Sequence, residues 1–509
     1  MYINMRYLIC LSICLCLLSL PGFANNLTVQ NVTLINKNAT SHTYDIRFDV
    51  SWDNSWYISG APTLTANWDA AWLFAKYSTY TGGAWSAWTH CKLLNTGYTA
   101  PSGSQMSFGT DGTNFTGAFI YRDSANTGTV NWTNAAIRWD YGTDGVSDAT
   151  PVKIKLFGIE MVYIPEGTFN LNSAASASMY NEFFSSGGSI TQITSENALD
   201  EASIRWAKDS TQGGQGNDNG SSYGSDALGA SYPKGYNDFY TMKYEISQGQ
   251  YADFLNMLTS AQASTRYPNY NGNTRHTISG TWPNYSASRP DRVCNFISWV
   301  DVTAYADWAS LRPMTELEFE KICRGGQSVV TNEYPWGVNS IVADASLSIN
   351  GAEDGTETID TDVSLGAANY GSNTFSGGDG GTGPLRCGIF AKSDTTKITA
   401  GAGYYGVLEM AGSVYERGVT VAKMDHTASG GATTEAGLFD GSHGNGALDS
   451  SGNPDVSTWP GTDALGAGFF GGCFSSTAYI RTSDRTARGL THNSRAASSY
   501  GGRCARTAP

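Results

Sequence analysis

The sequence predicts two domains: an all-β sandwich-like domain at 25–158, then an α+β domain at 159–509. Three observations carry that expectation. Residues 25–158 alternate apolar and polar positions between turn clusters rich in Gly, Asn, Ser and Asp. Past Ile159, capped helix signatures appear among short strands. The chain has 509 residues, too many for one ordinary hydrophobic core. Hydrophobic residues make up 40% and charged residues 15%, with 59 Gly, which fits filled cores joined by many loops.

The first 24 residues are expected to be a secretory leader. Arg6 precedes an apolar run from Tyr7 to Leu20, and Gly22-Phe23-Ala24 places small residues at −3 and −1 of a cut before Asn25. The protein is therefore expected to be exported, to the periplasm, the cell surface or the medium, with no integral membrane span. A lipid anchor stays open. Six cysteines remain after the leader: Cys91, Cys294, Cys323, Cys387, Cys473 and Cys504. Their even number permits disulfides in an oxidising compartment, and their spacing fits no zinc motif.

In the first domain, 27–29, 44–50, 118–121, 136–139 and 152–156 read as strands. Trp52, Trp56, Trp68 and Trp72 read either as core and rim aromatics or as a sugar-stacking platform. The second domain opens with a strand from Glu160 that turns at Pro165-Glu166-Gly167. Residues 209–231 are a polar Gly/Ser/Asp/Asn-rich loop. Ser247 and Gln250 form a capping box before Tyr251, Phe254, Leu255 and Leu258, one apolar face. Trp299, Val302, Ala306 and Ala309 mark a second helix. Thr315 and Glu318 cap a third, carrying Phe319 and Ile322. After 325 the chain reads as Gly-, Asp- and Thr-rich loop with short strands.

Lys and Arg number 31 against 45 Asp and Glu, a net charge of −14, which argues against a nucleic-acid partner. No two of the six His stand at metal-ligand spacing, and no Walker A loop occurs. The string Gly220-Ser221-Ser222-Tyr223-Gly224 lacks the strand before it and the helix after it that a nucleophile elbow needs.

Six stretches carry a resemblance. They lie at 161–169, 239–251, 298–309, 312–325, 334–337 and 405–416, and include Arg312-Pro313-Met314-Thr315-Glu316-Leu317-Glu318-Phe319-Glu320 and Met410-Ala411-Gly412-Ser413-Val414-Tyr415-Glu416. On these, residues 160–509 resemble the formylglycine-generating-enzyme family, also called the sulfatase-modifying-factor family. The resemblance implies a C-type-lectin-like α+β fold. It also implies a copper-binding cysteine pair, which would fall on Ser476 and Arg481 here. Neither residue supplies a thiolate, so the expected protein keeps the fold without the oxidase chemistry. The resemblance also implies a candidate calcium site, with a structural ion held by Glu409, the carbonyls of Gly412 and Val414, and Glu416. The alternative is that Glu416 binds backbone amides within its loop.

The C-terminal composition points further. Residues 461–509 contain no Lys, Glu, Gln, Met or Trp, and these are the five residues that no codon ending in C encodes. The segment about 470–503 thereby resembles the variable region of diversity-generating-retroelement proteins, in which adenine-mutagenised AAC codons become NNC. The expected ligand-binding face comprises Phe474, Ser475, Ser476, Thr477, Tyr479, Arg481, Thr486, Arg488, Leu490, Thr491, His492, Asn493, Arg495, Ser499 and Tyr500. Phe474, Tyr479 and Tyr500 would be its aromatic anchors. Six Arg against one Asp between 470 and 509 favour an acidic ligand, unless Arg485, Arg503 and Arg506 pair with scaffold carboxylates. The expected function is non-catalytic binding of a protein or glycan on a cell or phage surface. A formylglycine-generating oxidase and a calcium-dependent lectin are the alternatives.

Overall fold

The computed structural model describes residues 26–60, 66–172, 183–184, 191–200, 203–207, 223–225, 227–360, 362–371, 375–392, 395–421, 439–476, 479–485, 487, 493–495 and 497–509. The expected leader and most of the polar loop at 209–231 lie outside the described residues. The described chain is mostly β, with four α-helices confined to the second half.

Four of the five strands read from alternation lie inside observed ones, Thr43–Ile58, Phe115–Arg122, Asn126–Asp140 and Val152–Ile164, and the fifth, 27–29, overlaps the start of Thr28–Asn38. Strand Asn67–Thr81 went unread. Its Ala70, Trp72 and Phe74 face one core while Ala71, Leu73, Ala75 and Tyr77 face another. A strand buried on both sides has no polar face, hence no alternation to detect.

The expected two-sheet sandwich is corrected by the pairings. Thr43–Ile58 pairs with Asn126–Asp140, which pairs with Leu93–Thr99. Leu93 meets Phe115 of the next strand, Phe115–Arg122 pairs with Asn67–Thr81, and Tyr57 pairs back to Trp68. The strands thus close into a ring around Ile46, Phe48, Val50, Leu73, Ile120, Ile137 and Trp139.

The expected boundary at 158/159 falls inside one strand. Val152–Ile164 pairs with Asn67–Thr81 along 152–162 and, on its other edge, with Phe239–Met242 along 161–164. Val162 therefore lies between Asp69 and Thr241. The sheet continues through Cys504–Thr507 to Arg312–Pro313. A single sheet runs from the N-terminal ring to the C-terminal strand, so the two sequence domains share a backbone hydrogen-bond network.

The second half packs helices on that sheet. Helix α1 (Gln248–Met257) has the expected box: Ser247 accepts from Gln250 N while the Gln250 side chain accepts from Ser247 N. Its Tyr251, Phe254 and Leu255 are buried. Helix α2 (Ser260–Arg266), not read from the sequence, is capped alike by Thr259 and Gln262. Helix α3 (Trp299–Trp308) is buried along its whole length and capped by Ser298 with Asp301. Helix α4 (Glu316–Arg324) starts at the expected Thr315–Glu318 box.

Buried polar groups join the halves. Trp72 Nε1 donates to Ala309 O at 2.8 Å, and Lys76 Nζ donates to Trp308 O at 2.7 Å and Gly446 O at 2.8 Å. Arg506 lies 4.3 Å over the Trp72 ring and donates to Thr110 O. Of the four tryptophans, Trp52 and Trp72 are fully buried, and Trp68 stacks 3.8 Å from the Tyr163 ring. The four therefore do not form one exposed sugar platform, although half-buried Trp56 lines a cleft. All six cysteines are buried and unbonded. No helix among the described residues is long and apolar enough to cross a membrane.

Candidate functional site

The C-terminal arginines position the expected face. Arg485 is fully buried between Glu316 (3.2 Å) and Glu320 (2.7 Å) of α4. Arg503 grips Glu416 with Nε to Oε2 and Nη2 to Oε1, both 2.7 Å, and donates to Leu408 O and Met242 O. Arg506 donates to Ser310 O and Thr110 O rather than to a carboxylate. Arg495 forks onto Asp301 at the start of α3 and donates to Thr265 O. These four arginines hold scaffold groups, and the expectation that tail arginines wait for an acidic ligand is corrected for them.

A carboxylate cluster surrounds Arg503. Glu245, Glu409 and Glu416 are buried together, and burial raises the carboxyl of each. Glu409 is pushed up to about 7, although Gly388 N donates to its Oε1. Val414 N donates to Glu245 Oε1, while Glu245 Oε2 and Glu409 Oε2 have no hydrogen-bond partner among the described residues. Gly412 makes the close turn possible: its φ is +79°, and a Cβ there would sit 2.3 Å from Asn369 O. The calcium quartet does not fit this geometry as a set. Glu416 gives both oxygens to a guanidinium, whose charge repels a cation at that carboxylate. No three acidic, His or Cys side chains among the described residues converge to hold a metal ion. The loop-amide alternative for Glu416 is corrected as well, since its partner is Arg503. Glu245 was missed because its neighbours lie some 170 residues away in the chain (|i−j| of 169 to Val414).

Structure sorts the expected face residues. Phe474 is 4% exposed and its N–H donates to Ser413 O, so it is core rather than an anchor. Ser476 is buried too. Its hydroxyl accepts from Cys473 N and donates to Tyr415 Oη at 3.2 Å. Ser475 and Asn493 are exposed, and Tyr479, Arg481, Arg495, Ser499 and Tyr500 are half-buried. Asn493 caps Val300 N of α3. Thr477, Thr486, Arg488, Leu490, Thr491 and His492 lie outside the described residues.

The described part of the face rests on a small sheet: Ala467–Phe470 beside Tyr415–Val419 beside Tyr500–Gly501. Tyr500 stacks 4.6 Å from Phe469, and Tyr415 meets the Phe469 ring edge-on at 5.5 Å. Arg417 lies 4.2 Å over Phe469 and 4.9 Å over Tyr500, and burial lowers it to about 9. Nearby, the Arg481 guanidinium sits 5.8 Å from the Tyr334 ring, which stacks on Trp336. Tyr415, Arg417 and Tyr334 were missed as neighbours of the face because they come from other segments.

Of the two residues expected in place of a thiolate pair, Ser476 is buried and Arg481 is half-buried. Cys473 Sγ lies 3.3 Å from Ser476 Oγ and 3.2 Å from Ser475 Oγ, a thiol among hydroxyls.

Buried-arginine cores, a short three-stranded sheet and long connecting loops define a class of mixed scaffold on which a surface segment is held by interior ion pairs. The particular family follows from comparison. The sulfatase-modifying factor enzyme 1-like domain matches residues 157–508, and the chain belongs to that family. It is 45% identical over 49 residues to a formylglycine-generating enzyme of Bos taurus, a match spanning 10% of this chain and 13% of that protein.

Proposed function

We propose that the protein is an exported, non-catalytic ligand-binding member of this family. Its C-type-lectin-like scaffold would display a retroelement-diversified face around Ser475, Tyr479, Arg481, Asn493 and Tyr500. The observation that carries the reading is chemical. The family resemblance puts the thiolate pair at Ser476 and Arg481, and neither residue could serve copper(I) as a soft ligand. The NNC-compatible composition of 461–509 supplies a reason for the same segment to vary. The ligand would be a protein or glycan on a cell or phage surface. Incubation with copper and a cysteine-containing peptide tests the first part; aldehyde formation would overturn it. Sequencing the gene from many isolates tests the second. Substitutions should cluster at the face positions beside a template copy and a reverse transcriptase gene, and an even scatter would refute diversification.

A calcium-dependent lectin is the second reading. The partnerless Oε2 atoms of Glu245 and Glu409 favour it, with those two residues, rather than Glu416, holding the ion. A thermal midpoint unchanged by chelator argues against it.

A further inference from the structure

The arginines of the tail are engaged inside the fold, yet free positive charge exists elsewhere on this acidic protein. Between the N-terminal ring and the second half lies a cleft of about 860 Å³. One wall comes from the ring, with Asn54, Trp56 and Thr127. The other comes from the second half, with Lys392, Lys397 and Tyr404. None of the lining residues lies in 470–503, so the cleft is separate from the proposed variable face.

Its electrostatics oppose those of the whole chain. The described lining holds four cations, Lys243, Arg386, Lys392 and Lys397, and no Asp or Glu. Two of the four are engaged: Lys243 lies within 3.5 Å of both Asp69 and Glu160, and Arg386 donates to Glu357 O. The other two are available. Lys392 is exposed and donates one proton, to Ile359 O. Lys397 is half-buried with its ammonium 5.1 Å over the Tyr404 ring, and no hydrogen-bond or ion-pair partner stands among the described residues. A second cleft of about 490 Å³ has the opposite character, with Glu160, Glu245, Asp253 and Asp291 in its lining. The linings of the two clefts thus differ in charge.

The shape and polarity of the walls narrow the ligand. Trp56 is fixed by a 2.7 Å hydrogen bond from Nε1 to Asn67 Oδ1, and Tyr404 is braced against Tyr405. Ser55, Thr127, Thr356, Thr358, Thr395 and Thr396 also line the cleft. Aromatic walls, hydroxyl-bearing side chains and two ammonium groups in no ion pair among the described residues suit a polyhydroxylated ring carrying a carboxylate. The volume is in the range that holds a small ligand.

We propose that this cleft binds a small acidic saccharide, with Lys397 and Lys392 on its carboxylates and the Trp56 and Tyr404 rings against its sugar rings. Digalacturonate is the probe, with its methyl ester and inorganic phosphate as controls, measured calorimetrically on the full protein at low salt. Digalacturonate should bind, and the neutral ester should bind at least about tenfold more weakly, the share of one charge-assisted hydrogen bond. Lys392→Gln/Lys397→Gln should weaken digalacturonate binding by at least about tenfold, with an unchanged circular-dichroism spectrum, while Ser475→Ala on the variable face should leave it unaltered. Exposed Lys392→Gln alone provides a variant whose folding is not at issue and should give a smaller loss in the same direction. Equal binding of the ester, equal binding by the double variant, phosphate matching digalacturonate, or an affinity weaker than about 1 mM would each overturn the proposal.

Discussion

Arg503→Met tests whether the C-terminal segment is held from inside. The side chain is fully buried, and Glu416 beside it is 1% exposed. Substitution by Met keeps most of the volume and removes the charge. Breaking a buried ion pair from one side costs about 3–5 kcal/mol, because the remaining charge stays in the interior without a partner. Met242 O and Leu408 O also lose donors, at about 1 kcal/mol or more each. Glu245 and Glu409, which Arg503 partly neutralises, are left with Glu416 as three buried carboxyls. The total, about 5 kcal/mol or more, rivals the whole stability of a typical domain. Urea melting followed by tryptophan fluorescence and far-UV circular dichroism should therefore find Arg503→Met largely unfolded in its second half. The double variant Arg503→Met/Glu416→Met replaces the pair by apolar groups and should recover most of the loss. A single variant destabilised by less than about 1 kcal/mol, or a double variant no better than the single, would refute the reasoning.

Three further outcomes follow from the same geometry. Phe474→Ala should cost about 3–5 kcal/mol as a buried ring is removed, whereas exposed Ser475→Ala should cost less than about 1 kcal/mol; similar urea midpoints for the two would place Phe474 on the surface. Asp307 is buried and its carboxyl is raised by that burial from 3.8 to about 7. A raised acid stabilises the fold fully below its unfolded value and loses that contribution as pH rises through its folded value. The thermal midpoint of the native protein should accordingly exceed that of Asp307→Ala by more at pH about 5 than at pH about 8; an equal or larger gap at the higher pH contradicts the assignment. Gly412→Ala would force a Cβ to 2.3 Å from Asn369 O at a φ of +79°, and should lower stability by about 2 kcal/mol or more; a neutral result in thermal melting would show that the turn yields.

What the sequence made legible was local. The capping boxes at Ser247 and Thr315 name helix starts to the residue, since both partners lie within four positions. Alternation found strands with one wet face. It could not find Asn67–Thr81, whose two faces are both dry, and so the ring read as a sandwich. The domain boundary failed for a related reason: a strand that serves two neighbours changes partner at 161–162 without changing composition. At the expected face, residue types pointed to a segment but not to side-chain direction. Phe474 and Ser476 belong to the same NNC-compatible run as Ser475, yet they turn inward. Glu245 joins Glu409 and Glu416 only through the sheet, which no spacing rule encodes.

The arginines explain how a segment can vary and still fold. Arg485 ties the tail to α4 through two carboxylates, Arg495 ties it to Asp301 of α3, and Arg503 and Arg506 tie it to the central sheet and the N-terminal ring. Each contact is made away from the solvent side of the segment. Ser475, Tyr479 and Arg481 lie before the first of these ties, and Asn493, Ser499 and Tyr500 lie between the later ones. Change at such positions alters the exposed or half-buried surface while the ion pairs beneath still fix the backbone. Tolerance should then be uneven along the tail. Losing a buried ion-paired tie, Arg485 or Arg503, removes about 3–5 kcal/mol, whereas a change at an exposed position stays within about 0.5 kcal/mol. A mutational scan of 470–509 that scored folded protein would separate these two classes, with Arg485, Arg503 and Arg506 intolerant among neighbours that accept most residues. Uniform tolerance across all six arginines would mean that the segment is not anchored by its interior charges.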